Sequence, residues 1–219
     1  MKFKERNIQI AMIIMTLVMI ILRLLLNEKG RTNPDSIRYM RFAHIFPTID
    51  NTTTPLGYPL SIKFFTFLGS DEFWSSKIVG IAAFLFILFF TWKKKFFFKE
   101  SVVLCALFSF LSIYSYTMSE ALILPFVLLF LYTGSLIIEG KLEKGKAIFY
   151  LSLSLIALYN IRYSSLFIMA GTGLFGLIFI RRKYSKVFII SGLIGGVFVV
   201  LYKFLFIDYF NENYVNEFL

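Results

Sequence analysis

Apolar blocks alternate with short polar joints along this chain, and one long polar stretch interrupts the pattern early. The blocks lie at about 8–26, 73–92, 101–118, 121–138, 147–163, 165–180 and 187–207. Crossing the hydrocarbon core of a bilayer takes about 20 mostly apolar residues, so the pattern predicts an all-α, polytopic transmembrane bundle of about seven spans. The long loop runs over about 27–72. In it Asn33 suits a helix N-cap, Pro34 the first helical position, and Asp35 the first turn, where negative charge complements the helix dipole. The predicted element is a short helix over 34–46 lying along the membrane surface. On it Asp35, Tyr39 and Phe42 or Ala43 share one face by their i, i+4 spacing, while Arg38 and Arg41 fall on another. Pro55, Gly57 and Pro59 predict a turn that returns the chain toward the bilayer. No internal repeat or low-complexity linker divides the sequence, so residues 1–219 are expected to form one membrane domain.

Composition agrees with this picture: 58% of the 219 residues are hydrophobic and 16% charged, far from the mix of a soluble domain. The net charge of +10 does not indicate nucleic-acid binding, because the Lys and Arg residues sit in short clusters between apolar blocks and form no recognition stripe. There they set topology and meet lipid headgroups. Most of the basic residues fall on the side of Met1–Arg6, Lys93–Lys99, Glu139–Lys146 and Arg181–Lys186. The positive-inside rule makes that side cytoplasmic, together with the N-terminus, and puts the long loop and the 208–219 tail outside. The first block follows Lys2, Lys4 and Arg6 as a signal peptide would. It is too long for one and lacks an Ala-x-Ala-like exit, so it is expected to stay as an anchor. The expected location is the plasma (inner) membrane. Cys105 lies within an apolar block as a small packing residue, and a single histidine with no Cys/His cluster offers no metal site. No cofactor is expected, and nothing in the sequence supports a divalent metal.

Three charged residues stand out as candidates for chemistry, all expected near the outer face. Asp35 is accounted for by capping and dipole effects alone, but a carboxylate at the membrane surface can also orient a hydroxyl nucleophile or take its proton. Arg38, three residues on, would help keep it ionised. Glu120, in Tyr116-Thr117-Met118-Ser119-Glu120-Ala121, is costly at such a depth and invites a functional explanation; a hydrated turn opening the next helix explains it equally well. Arg162, between Tyr159 and Tyr163, reads either as an interfacial anchor or as a guanidinium shaped to hold a phosphate. Lys29, Arg31, Arg38, Arg41 and Lys63 put further positive charge in the outer loop, for which a phosphate is one partner.

The other notable positions have simpler readings. His44 is a solvated surface residue. Arg23 and Lys203 near outer helix ends can snorkel, and Arg23 is also available to a lipid phosphate. The Asn51-Thr52-Thr53 sequon matters only in a glycosylating compartment. Gly171, Gly173, Gly176, Gly192, Gly195 and Gly196 are expected at close helix contacts.

Taken in order, Asp35-Ser36-Ile37-Arg38-Tyr39-Met40-Arg41-Phe42-Ala43, then Pro55-Leu56-Gly57-Tyr58-Pro59, then Ser119-Glu120 and Arg162, the chain resembles the N-terminal membrane module of the GT-C glycosyltransferases. That polyprenyl-phosphate-sugar-dependent group includes the dolichyl-phosphate-mannose protein mannosyltransferases and the aminoarabinose transferases. The resemblance spans most of the chain through short, degenerate motifs. It implies inverting transfer of a sugar from a polyprenyl phosphate to an acceptor of unspecified identity on the extracytoplasmic side. Asp35 would then be the base or acceptor-orienting carboxylate, and Arg162 with Arg38 would steady the departing lipid phosphate, where developing charge makes preorganised cations most useful. Glu120 would orient a sugar hydroxyl or the arginine, and Tyr39 and Tyr58 would line the substrate site. Two departures stand out: relatives commonly carry paired acids where this chain has Asp35-Ser36, and they are usually much longer. The alternatives are a noncatalytic scaffold or assembly partner of the same shape, and a transporter of lipid-linked sugar. A transporter predicts polar residues through mid-membrane, whereas the centres of the blocks are nearly free of charge.

Overall fold

The computed structural model describes residues 5–26, 33–47 and 54–205. The Asn51 sequon, Lys29, Arg31 and the 208–219 tail lie outside the described residues. All regular structure among the described residues is helical: α1 (Glu5–Leu26), α2 (Pro34–Ile45), α3 (Gly57–Thr66), α4 (Glu72–Lys94), α5 (Phe98–Ala106), α6 (Phe108–Ser115), α7 (Ser119–Ile138), α8 (Lys144–Ile161), a 3-10 turn at Tyr163–Ser165, α9 (Leu166–Ile178) and α10 (Ser185–Leu205). Each apolar block of the sequence corresponds to a helix or a helix pair. Four described helices, α1, α4, α7 and α10, are long and apolar enough to cross a membrane, and there are five such spans if the bent α5–α6 pair counts as one. The regular structure of the described residues is thus all helical, and these long apolar helices are those of a membrane protein. The block at 147–163 forms α8, which carries Lys144, Lys146 and Asn160 within its 18 residues. The block at 165–180 yields the 13-residue α9.

Two sequence expectations need correction. The block at 101–118 is not one straight helix: it breaks at Leu107, whose extended backbone (φ −66°, ψ 141°) separates α5 from α6, and the two halves are bent by 78°. The reason is long-range. Arg23 donates to Ser112 Oγ at 2.6 Å and sits 4.3 Å over the Phe108 ring, so α6 is drawn onto α1. The Pro55-Gly57-Pro59 motif also does more than turn the chain, because it opens α3. Pro59 is the third residue of that helix, where the amide it lacks would have had no intrahelical partner.

The chain packs as two compact units. The first comprises Met1–Phe46 and Tyr58–Leu128. Its core gathers Ile20 and Leu24 of α1, Phe84, Ile87 and Leu88 of α4, Val102 and Cys105 of α5, and Leu111 and Tyr114 of α6. Without a hydrophobic driving force between helices in lipid, close van der Waals fit decides the packing. Gly80 shows this, since a side chain there would run into the Tyr114 carbonyl of α6. Gly80→Val is expected to overpack this contact and lower stability by about 1–3 kcal/mol, read as a lower denaturation midpoint in mixed micelles. An unchanged midpoint would mean that the α4–α6 contact is loose. At its C-terminal end α4 closes on Lys95 in the left-handed region (φ 52°), with the Phe96 amide donating back to the Thr91 carbonyl at 3.1 Å.

The second unit comprises Pro47–Gly57 and Leu129–Leu219. Here α9 and α10 pack through some of the glycines picked out in the sequence, Gly176, Gly192 and Gly195, whereas a Cβ on Gly171 or Gly196 would meet nothing within 4 Å. A Cβ on Gly192 would press on the Gly173 backbone, one on Gly195 on Met169, and one on Gly176 on Ile189. Ser185 Oγ donates to the Gly176 carbonyl at 2.7 Å and pins the turn between the two helices. Tyr159, Phe198 and Tyr202 form an aromatic cluster beside Leu155 and Met169.

Candidate functional site

The loop helix α2 begins as the sequence predicts. Asn33 Oδ1 accepts from the Ser36 amide at 2.7 Å, and Ser36 Oγ accepts from the Asn33 amide at 3.1 Å, a reciprocal capping box with Pro34 at the first position. The face it buries differs from the expected one. Ser36, Tyr39, Phe42 and Ala43 are buried, whereas the Asp35 side chain is 59% exposed and lies 3.6 Å from Arg38 Nη1. Asp35 therefore does not share the buried face of Tyr39, and it pairs across the helix surface with the arginine expected on another face. The physical reason is the cost of burying a carboxylate, which Ser36 avoids by spending its hydroxyl on a hydrogen bond.

That hydroxyl reaches the turn between α6 and α7, donating to the Thr117 carbonyl at 2.7 Å. Three other side chains converge on the same turn. Tyr39 Oη lies 3.2 Å from Ser119 Oγ. Lys77 of α4, only 2% exposed, donates to the Ser115 carbonyl at 3.1 Å and to Thr117 Oγ1 at 2.9 Å. Ser76 Oγ is 2.7 Å from Thr117 Oγ1 and donates to the Phe73 carbonyl at 2.6 Å. Each hydroxyl has one proton, so the direction is fixed: the ammonium donates to Thr117, Thr117 to Ser76, and Ser76 to the backbone. Such chains polarise one another in a low-dielectric interior, and the Phe73 ring, 4.7 Å from Nζ, adds a cation–π contact.

Tyr58, at the start of α3, is fully buried and meets Tyr39 edge to face with centroids 5.0 Å apart. Its hydroxyl lies beside the Met118 backbone and within the field of Glu120, yet makes no hydrogen bond of good geometry. Burial, then the nearby Tyr39, pushes the phenol well above its ordinary range and keeps it neutral. Glu120 itself is half-buried in the first turn of α7. Tyr39, Tyr58 and Glu120, far apart in sequence, thus meet at one turn of the first unit, and Asp35 and Arg38 occupy the exposed side of the helix that bears Tyr39.

Arg162 belongs to the second unit. It ends α8 with an extended backbone (φ −154°, ψ 124°), its amide donating to the Leu158 carbonyl at 3.0 Å, and the rings of Tyr159 and Tyr163 flank it with centroids 5.1 Å apart. In the same unit Gly57 presses so closely on the Asn160 carbonyl that any side chain there would collide with it. Thr54 and Pro55 are buried, and Thr54 Oγ1 makes no hydrogen bond.

Other candidates have ordinary surroundings. His44 is exposed and lies 2.9 Å from Glu72 Oε1, tying α2 to the start of α4. Cys105 is buried with its thiol 3.4 Å from Tyr114 Oη. Among the described residues no cluster of His, Cys, Asp and Glu is arranged to hold a metal. The sequence reading missed Lys77, although an ionisable side chain inside the apolar block at 73–92 was the signal that could have found it. Compared with known proteins, the chain matches no family model, and neither the curated proteins nor the solved structures give a match.

Proposed function

We propose that the protein transfers a sugar from a polyprenyl phosphate to an acceptor at the extracytoplasmic face of the membrane, in the manner of the GT-C glycosyltransferases it resembles. The observation that carries this reading is the corner at residues 115–120. There Tyr39, Tyr58 and Glu120 meet at one turn, with the Asp35–Arg38 pair on the exposed side of the helix that bears Tyr39, and the buried Tyr58 hydroxyl lies beside the Met118 backbone without a hydrogen bond of good geometry. In this reading all seven apolar blocks cross the bilayer, with the N-terminus in the cytoplasm of a cell bounded by the inner membrane. Within the first unit, Asp35 acts on the acceptor hydroxyl, Glu120 and the tyrosines meet the sugar, and Arg38 is assigned to the lipid phosphate; for Arg162, a residue of the second unit, a phosphate contact is carried over from the resemblance alone.

A second reading, a noncatalytic scaffold of the same shape, has one observation in its favour. The hydroxyls of Ser36, Ser76 and Thr117 spend their protons on partners within the protein, as purely structural groups would. Photo-cross-linking separates the two. A photoreactive polyprenyl phosphate is expected to label the purified protein, unlabelled polyprenyl phosphate to compete, and Arg162→Gln to weaken labelling. Labelling that unlabelled lipid does not reduce would favour the scaffold.

A further inference from the structure

At the other end of the first unit, α1, α4 and the start of α5 enclose an open groove of about 720 Å³, a volume within the roughly 300–1,000 Å³ of ligand clefts. Its walls are apolar, with Ile10 and Ile13 of α1 facing Phe89 and Trp92 of α4, and Arg6 and Gln9 stand at one end. The Arg6 guanidinium is exposed there. The polypeptide around that end is basic: Lys93 and Lys94 close α4, and Lys95 and Lys99 follow. The acids on these segments are Glu5 and Glu100. Glu5 is engaged by Lys99 at 2.5 Å and by the Gln9 amide at 3.5 Å, and the carboxylate of Glu100 also lies near Lys99.

We propose that this groove is a binding site for an anionic phospholipid of the surrounding bilayer, one acyl chain lying along Ile10, Ile13, Phe89 and Trp92 and the headgroup phosphate resting on Arg6. An uncharged hydrocarbon slot alone would select no headgroup. A guanidinium at the slot's end, in a basic surround, selects an anionic one. The inference is independent of sugar transfer and of the residues assigned to it.

Trp92 provides the reporter, since the chain has two tryptophans and Trp74→Phe leaves it alone. The full chain with that change is reconstituted in equimolar phosphatidylglycerol and phosphatidylcholine, with bromine on the acyl chains of one lipid or the other. Brominated phosphatidylglycerol is expected to quench Trp92 beyond its mole fraction, and Arg6→Gln to reduce that preference about fivefold, while Lys203→Gln leaves it unchanged. Equal quenching by the two lipids in the Trp74→Phe protein would overturn the proposal, whatever the other variants do. So would a preference that survives Arg6→Gln in protein with an unaltered helical spectrum.

Discussion

Under the proposed function, replacing Asp35 by Asn is expected to lower sugar transfer by about 10²- to 10⁴-fold, the usual contribution of a general base, without weakening the fold. Geometry supports the second half of that expectation. The Asp35 carboxylate is mostly exposed, and its contact with Arg38 at 3.6 Å is a surface i, i+3 pair of a kind worth roughly 0–1 kcal/mol. The cap of α2 rests on Asn33 and Ser36, so Asn at 35 leaves it intact. Transfer should therefore collapse while the denaturation midpoint stays where it was. A variant that transfers sugar at the rate of the unaltered protein would remove the base assignment. A variant that loses rate and stability together would assign Asp35 a structural role instead.

Lys77→Ala is expected to produce the largest loss of stability, roughly 3 kcal/mol, because hydrogen bonds from a charged donor contribute about 1.5–3 kcal/mol and their buried acceptors are left unsatisfied. The Ser115 carbonyl and Thr117 Oγ1 both lose their donor, and the chain through Ser76 loses the charge that orients it. Lys77→Met, which keeps most of the volume, separates the cost of the charge from the cost of the cavity. Unfolding of both variants in mixed micelles gives the numbers. Because the turn from Ser115 to Ser119 carries the Tyr39 contact, transfer should also fall in whatever fraction remains folded. A Lys77→Ala protein as stable as the parent would show that the buried ammonium does not hold the turn.

Helix α2 was legible in the sequence because its signals are local: a cap residue, a proline and an acid in consecutive positions. Its orientation was not. A stripe drawn through Asp35, Tyr39 and Phe42 and another through Ser36, Tyr39 and Ala43 fit the helical period nearly equally, and the cost of burying a carboxylate decides between them. The start of α3 was missed because Pro55, Gly57 and Pro59 read as turn residues, although a proline in the first turn costs a helix no hydrogen bond. The break at Leu107 has no glycine or proline to announce it. It follows from contacts such as Arg23 with Ser112, 89 positions apart, which no local pattern records. Gly176, Gly192 and Gly195 were readable because close approach in lipid requires small residues, but the same rule also picked out Gly171 and Gly196, which face open space. Within the first unit, Tyr39, Tyr58 and Glu120 lie near one turn while Asp35 and Arg38 face outward from α2, an arrangement that no local pattern in the sequence records.

Transfer by the purified, unaltered protein is the most direct test of the proposed function. Reconstituted in vesicles with a panel of radiolabelled polyprenyl-phosphate hexoses and pentoses, and with membranes from cells lacking the gene as acceptor, it should move label from one donor into acceptor and release polyprenyl phosphate in equal amount. Complete recovery of every donor intact, from protein that still binds and is labelled by polyprenyl phosphate, would contradict the account and leave a lipid-binding scaffold in its place.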